Sequence, residues 1–443
     1  MCARHAADGH RAGDGAVSKA GVIRVGLFGP YHSNNLGDTA TQMAVMANLK
    51  RRHTGIEFIG ICFDPPDAAR THGISAFQMS GTEWRIHEPP SVAFEPDKAG
   101  ASANASSLPR WLPYKVYRLV NPLRQSWNIL CFAGKIDALL ISGGGQLCDF
   151  WGGPWARPFE LLAWTAACRL RRKRVVVFAT AADNLTTRIG RVMCFLAMRL
   201  SHYTVYRDEY TVQAARAAGL SQPGHACPDA AFSLPLPPLA PPPPARRVPV
   251  VLACPISKSA WLRTIDATYE SYLDEFVDTC AQLMADGIIV QLSNSQVKMD
   301  TPVAQKVAER LRQRLAGDPA LCERVQVTPT RTVNEFVALA SQADVVLASR
   351  LHGVILSLVA GTPVVGIAYI RKVSQVMADA NLSGHCLELH GSSAQRLTAM
   401  VHAALDNQAA LRDHISAINL KFRAALEREY EAVVRVLADA PGG

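Results

Sequence analysis

The amino-acid sequence predicts an α/β protein built as two Rossmann-like βα domains with a cleft between them. Three observations carry that reading. Short apolar runs alternate with helix-like segments through most of the 443 residues, the pattern of parallel βα units. The run "LPLPPLAPPPPARR" (234–247) interrupts the pattern once, with seven prolines in fourteen residues. Neither a helix nor a central strand accommodates such a run. The alternation then resumes, so the run reads as a semi-rigid linker.

Residues 1–21 are polar and Gly/Ala-rich, lack the apolar core of a signal peptide, and read as a disordered tail. In the first domain, 22–233, buried strands are expected at "VIRVGLF" (22–28), "IDALLIS" (136–142), "RVVVFAT" (174–180) and "HYTVYR" (202–207). The stretch at about 81–127 does not alternate and reads as an insertion. In the second domain, 248–393, the strands are "VPVVLACP" (248–255), "GIIVQLS" (287–293), "VQVTP" (325–329), "ADVVLAS" (343–349) and "PVVGIAY" (363–369). The remaining 394–443 reads as helical, with Leu397, Val401, Ala404 and Leu405 on one face.

Composition narrows the function. Hydrophobic residues make up 49% and charged residues 19%, enough to bury a large core. A net charge of +9 suits an anionic substrate or surface without choosing between them. The 11 Cys are scattered with no C-x-x-C pair, and the 13 His form no H-E-x-x-H, so neither a disulfide framework nor a metal site is expected. No apolar window is long enough to span a bilayer. Basic residues are spread through the chain and form no recognised nucleic-acid module, so nucleic acid is not an expected partner.

Several turns carry polar residues where an open sheet binds ligands, at the carboxyl ends of strands. "SRLHG" (349–353) sets Arg350 and His352 between a strand and the helix "GVILSLVAG". An Arg there suits a carboxylate or phosphate, and a His can move protons near neutral pH. The bland alternative is a structural ion pair and a hydrogen-bonded turn residue. "NNLGD" (34–38) places Asn35 and Gly37 before a helix capped by Asp38 or Thr39. It is not a dinucleotide fingerprint. Gly143, Gly144 and Gly145 follow a strand directly, where they either admit a ligand to the backbone or ease helix packing. Asp149 and Trp151 come next. Arg207 and Asp208 end another strand, as cleft residues or as a simple surface pair, and Asp229 lies in a later turn. In the insertion, Trp111, Tyr114, Tyr117 and Trp127 interleave with Arg110, Lys115, Arg118 and Arg124. That composition fits sugar stacking, an anionic membrane surface or a packed helix with a basic face.

Taken together, "NLGD" (35–38), "SGGGQLCD" (142–149), "VYRDEYT" (205–211), "PDAAF" (228–232) and "SRLHGVILSLVAGTPVVGIAYIRKV" (349–373) resemble the polysaccharide pyruvyl transferase family, in the family's order and over roughly residues 23–385. Where the family commonly has an acidic residue after Tyr369, Ile370 stands here. The resemblance implies a glycosyltransferase-B-like fold and a transferase that moves the pyruvyl group of phosphoenolpyruvate onto two sugar hydroxyls as a ketal. It implies catalysis by His352 and Arg350. Donor binding would fall to Arg207, Arg350, Leu351, Lys372, Gly143, Gly144, Gly145, Asn35, Gly37 and Asp38. Trp151, Trp111 and Tyr114 would hold the acceptor, a polysaccharide or lipid-linked oligosaccharide. No cofactor or metal is expected beside the donor. The expected location is cytoplasmic, with peripheral contact to the inner membrane surface. Two other readings are a sugar-nucleotide-dependent glycosyltransferase of the same fold and a non-catalytic sugar-binding protein.

Overall fold

A computed structural model describes residues 21–30, 34–83, 85–89, 114–150, 152–183, 185–222, 224–237, 248–258, 266–389 and 393–439; the side chains of 114–120 and 266–267 are not included. Most of the expected tail and linker, together with Trp111 and Trp151, therefore lie outside the described residues, as does the side chain of Tyr114.

The N-terminal half contains β1 (Ile23–Phe28), α1 (Leu36–Arg52), β2 (Ile56–Cys62), α2 (Pro65–His72), β3 (Ala76–Gln78), α3 (Tyr114–Phe132), β4 (Ala138–Ser142), α4 (Arg157–Leu170), β5 (Arg174–Thr180), α5 (Arg188–Arg199), β6 (Tyr203–Tyr206), α6 (Glu209–Ala217) and β7 (His225–Ala226). The strands form one parallel sheet in the order β3-β2-β1-β4-β5-β6-β7. The C-terminal half contains β8 (Val250–Cys254), α7 (Asp266–Ala285), β9 (Ile289–Leu292), α8 (Val297–Arg314), α9 (Pro319–Glu323), β10 (Gln326–Val327), α10 (Val333–Gln342), β11 (Val345–Ala348), α11 (Leu351–Val359), β12 (Val364–Ala368), α12 (Arg371–Asp379) and β13 (Cys386–Glu388), then α13 (Ala394–Asp406) and α14 (Gln408–Ala438). Its parallel sheet runs β10-β9-β8-β11-β12-β13.

Strands β4, β8, β11 and β12 are buried at every residue. A parallel strand covered by helices on both faces has to be apolar throughout, which is why these four were readable as continuous runs. Strand β2, "IEFIGIC", alternates exposed and buried residues at its start and was not anticipated. Each sheet reverses strand order once, between β1 and β4 and between β8 and β11. Ligand crevices form at such switch points, beyond the carboxyl ends of the strands. The two crevices open toward each other. Val297 N–H links the two halves there by donating to Asn34 O at 2.8 Å.

The expected C-terminal helical segment is two helices, and the second ties the halves together. Near the start of α14, Arg412 donates to Ala343 O at 2.9 Å and Asn419 to Leu358 O at 2.6 Å, both in the C-terminal half. Farther along, Glu427 pairs with Arg51, and Tyr430 shares a 2.8 Å hydrogen bond with Ser233 while lying against Phe178 in the N-terminal half. Phe422, Leu426, Tyr430 and Val433 are buried there.

Candidate active site

The facing crevices enclose a cavity of about 660 Å³. Its wall includes Asn35, Asp38, Gly144, Gly145, Arg207, Arg350, Leu351, His352 and Lys372, all named from the sequence. It also includes Gln146, Arg157, Asp183 and Tyr369.

The β11–α11 turn holds the first pair. Arg350 is the residue before α11, and the helix begins at Leu351, two residues ahead of the expected Gly353, so His352 lies in its first turn. Arg350 is not a free clamp. Its Nε and Nη2 donate to the two carboxylate oxygens of Asp300 at 2.5 and 2.7 Å, and Nη2 also reaches Ser257 Oγ at 3.3 Å. Asp300 is fully buried. Burial opposes the charge on Arg350, but Asp300 outweighs it and keeps the guanidinium firmly protonated. What this side chain has left to offer a ligand is Nη1.

His352 packs closely against α1 at Gly37. A Cβ added to Gly37 would sit 2.0 Å from the His352 ring, so only glycine fits there. Gly37 lies inside the first turn of α1. The helix begins at Leu36 and is capped by Asn35, whose Oδ1 accepts from Gly37 N at 3.2 Å, in place of the expected cap at Asp38 or Thr39. The cap shifts because an Asn side chain satisfies an amide two residues on. The other end of that side chain donates to Asp38 Oδ2 at 2.6 Å.

Arg207 directly follows β6, but it does not pair with Asp208, whose side chain caps α6 through Thr211 N at 2.8 Å. Arg207 Nη1 donates instead to Asp229 Oδ2 at 3.1 Å. Asp229 caps the 3₁₀ turn 230–233 through Ala231 N at 3.0 Å, and the same Oδ2 lies 3.8 Å from His352 Nε2. Arg207, Asp229 and His352 thus form a line from one half of the protein to the other. Two buried atoms on that line make no hydrogen bond: Arg207 Nη2 and His352 Nε2. Lys372, at the start of α12, crosses in the same way to Asp183 Oδ2 at 2.5 Å.

The charges shift one another's protonation. Burial lowers the pKa of His352 to about 4; Asp229 opposes this, while Arg207, Lys372 and Arg350 add to it. The ring is therefore neutral at pH 7. Burial raises the Asp38 carboxyl to about 6 against the pull of Arg207 and Lys372. Burial and the charge of Arg207 lower Lys372, with Asp183 working the other way. Burial opposes ionisation of Asp229, but Arg207, His352 and the Ala231 amide prevail and hold it below the usual carboxylate range.

The glycine turn after β4 serves the backbone path and the cleft. Gly143 and Gly144 have φ of 66° and 62°, the left-handed region in which a side chain is strained. A Cβ on Gly145 would meet Lys372 Nζ at 3.0 Å. Asp149 faces away from ligand chemistry: it accepts from the amides of Thr186 and Thr187 at 2.8 and 2.7 Å. On α3, Trp127 is exposed, and Arg124 is tied to Thr82 O at 2.8 Å.

Sequence reading missed Asp183, Arg157 and Asp300. Asp183 lies in the turn after β5, beyond Ala181 and Ala182, so the strand-end rule contained the signal. Arg157 opens α4 and is buried against Phe63, 4.2 Å from the ring centroid, but the long connection 143–156 separates it from the end of β4. Asp300 lies inside α8, where nothing local marks it.

The fold places the protein among two-domain α/β proteins of the glycosyltransferase-B type. It is similar to a putative UDP-N-acetylglucosamine 2-epimerase from Listeria monocytogenes (TM-score 0.55, 9% identity, covering 95% of this chain and 98% of that one). A structure of S. aureus MnaA with UDP gives TM-score 0.55 at 10% identity over 95% and 99% of the two chains. UDP-GlcNAc 2-epimerase from Neisseria meningitidis, bound to UDP-GlcNAc, gives 0.53 at 11% over 94% and 99%. At such identities the likeness concerns the fold alone. No curated protein sequence matches significantly. The family model for polysaccharide pyruvyl transferase matches residues 35–371, from the cap of α1 to the start of α12. The chain belongs to the polysaccharide pyruvyl transferase family and is a transferase.

Proposed function

We propose that the cleft transfers the pyruvyl group of phosphoenolpyruvate to two hydroxyls of one sugar in a polysaccharide or lipid-linked oligosaccharide. The observation that carries this is the Arg207–Asp229–His352 line, on which a cationic nitrogen and an imidazole nitrogen are both buried and unbonded. A small, dense anion would satisfy the first, and a hydroxyl proton the second. Arg207 and Lys372 hold the donor, with Gly144 and Gly145 leaving room for it and Arg350 Nη1 adding charge.

The chemistry requires a proton on C3 of the donor, bond formation from one hydroxyl oxygen to C2, departure of phosphate, and attack by the second hydroxyl at C2. Two hydroxyl protons are lost. One is balanced by the new methyl group and the other by the departing phosphate. Neutral His352 takes the proton of the attacking hydroxyl. Asp38 faces the same anion, and a carboxylate there would repel it. The protonated form is favoured by burial and favoured again by the donor's charge, so we assign Asp38 the proton for C3. Arg207 and Lys372 meet the charge of the leaving phosphate, so the scheme calls for neither metal nor cofactor, and added chelator is expected to leave the rate unchanged. A donor made in the cytoplasm places the reaction there.

The experiment is a mass-spectrometric donor screen, with phosphoenolpyruvate and nucleotide sugars offered beside extracted polysaccharide and lipid-linked oligosaccharide. A gain of one pyruvate ketal with release of inorganic phosphate supports the proposal. Sugar transfer from a nucleotide would replace it with the second reading, a sugar-nucleotide-dependent glycosyltransferase of the same fold.

A further inference from the structure

Helices α3, α4 and α5 pack side by side on one face of the N-terminal sheet, away from α14. Their outer surface is not used by the cleft chemistry. Helix α5 buries Cys194, Phe195, Ala197 and Met198 against the sheet, as an amphipathic helix should. Yet on its solvent side Ile189, Val192 and Leu196 are 52%, 65% and 43% exposed. Their spacing of three and four sets them in one stripe. Arg188, Arg191 and Arg199 flank the stripe. The surface extends across the layer: α4 ends in exposed Leu170, and α3 exposes Leu123 and Trp127.

A groove of about 470 Å³ runs beside α5, lined by Arg188, Arg191 and Arg199 together with Val192, Phe195 and Leu196. A second hollow shares Arg191 and Phe195 with it and reaches Asp183, which is also in the wall of the catalytic cavity. The surface and the cleft therefore adjoin.

Charge is distributed just as unevenly. Residues 114–199 hold 13 Lys and Arg against 4 Asp and Glu, while the rest of the chain holds 33 of each, so the net charge of +9 resides in this segment. Its four acids are engaged within the protein: Asp137 with Arg24, Asp149 with the Thr186 and Thr187 amides, Glu160 with Arg157, and Asp183 with Lys372.

We propose that the outer face of α3–α5, centred on α5, docks on an anionic phospholipid bilayer. Apolar side chains bracketed by arginines match the two components of such a surface, the acyl boundary and the anionic headgroups. A second copy of this chain fits less well, because it would set arginine against arginine. Docking this face brings the adjoining cleft to the membrane. The inference does not depend on the pyruvyl-transfer reading, since binding is measured without turnover.

The experiment is flotation of the full chain with phosphatidylglycerol or phosphatidylcholine vesicles at low and high salt. Binding is expected to phosphatidylglycerol alone, and to fall as salt rises. Arg188→Gln, Arg191→Gln and Arg199→Gln together are expected to weaken it on the order of 10²-fold. Val192→Asp with Leu196→Asp is expected to abolish it, with an unchanged circular dichroism spectrum and melting temperature. No binding to phosphatidylglycerol at low salt overturns the proposal. So does undiminished binding of the folded Val192→Asp/Leu196→Asp protein, or a wild-type dimer by light scattering that these two substitutions dissociate.

Discussion

The turns after β6 and after β11 begin alike and end differently. Each places an arginine at the carboxyl end of a parallel strand, and each arginine meets a buried aspartate. Arg350 commits Nε and Nη2 to Asp300 in a two-pronged pair at 2.5 and 2.7 Å. Arg207 gives Asp229 one nitrogen at 3.1 Å and leaves Nη2 buried and unbonded. The first geometry commits two of the three guanidinium nitrogens to the scaffold and leaves Nη1 alone for a ligand. The second holds the side chain in place while keeping donor capacity for a ligand. Position at a strand end is therefore not enough to make an arginine a substrate clamp; how many of its nitrogens the protein has already used decides that.

The largest expected effect concerns the histidine that both turns serve. His352→Ala should leave a folded protein with turnover reduced roughly 10²–10⁴-fold. In the wild type, kcat/KM should follow a bell with an acid limb near about 4, where His352 protonates, and an alkaline limb near about 6, where Asp38 loses its proton. A kcat/KM that does not fall as pH rises from about 6 to about 8 removes Asp38 as the acid.

The next effects separate the two arginines. Asp300→Ala strands Arg350 in a buried site, and should cost about 3–5 kcal/mol in denaturant unfolding. Arg207→Lys keeps a charge beside Asp229 but removes the unbonded nitrogen. Its stability should hold while KM for phosphoenolpyruvate rises roughly 10–100-fold, the value of one hydrogen bond to a charged group. Should Arg207→Lys lose stability instead and bind the donor normally, the contrast between the turns collapses. Gly37→Ala is the mildest. Its methyl must displace the His352 ring, and about 1–3 kcal/mol of overpacking is expected, with a drop in turnover that tracks the ring's movement.

Much of the architecture was legible because its signals are local. A parallel strand buried on both faces must be apolar over four or five consecutive residues, so β4, β5, β8, β11 and β12 stood out in the sequence. Strands β2 and β3 were missed, the first half-exposed at its start and the second only three residues long. Because ligands gather at strand carboxyl ends, the candidate turns could be named from the order of apolar run, turn and helix. Most of the residues so named do share one cavity. Asp149 does not share it; its carboxylate holds the Thr186 and Thr187 amides just before α5.

By itself, then, the sequence determined the two βα domains, the family, and the turns that meet at the cleft, since each depends on neighbouring residues and on periodicity along the chain. Only the tertiary structure decided the partners. Arg350 and Asp300 are 50 positions apart, Arg207 and Asp229 are 22 apart, and Lys372 and Asp183 are 189 apart. Which of these meet depends on strand order and on how two sheets face each other, and no local pattern encodes that. The same holds for the protonation states. A histidine at about 4 and an aspartate at about 6 are products of burial and of charges brought in from both halves of the chain.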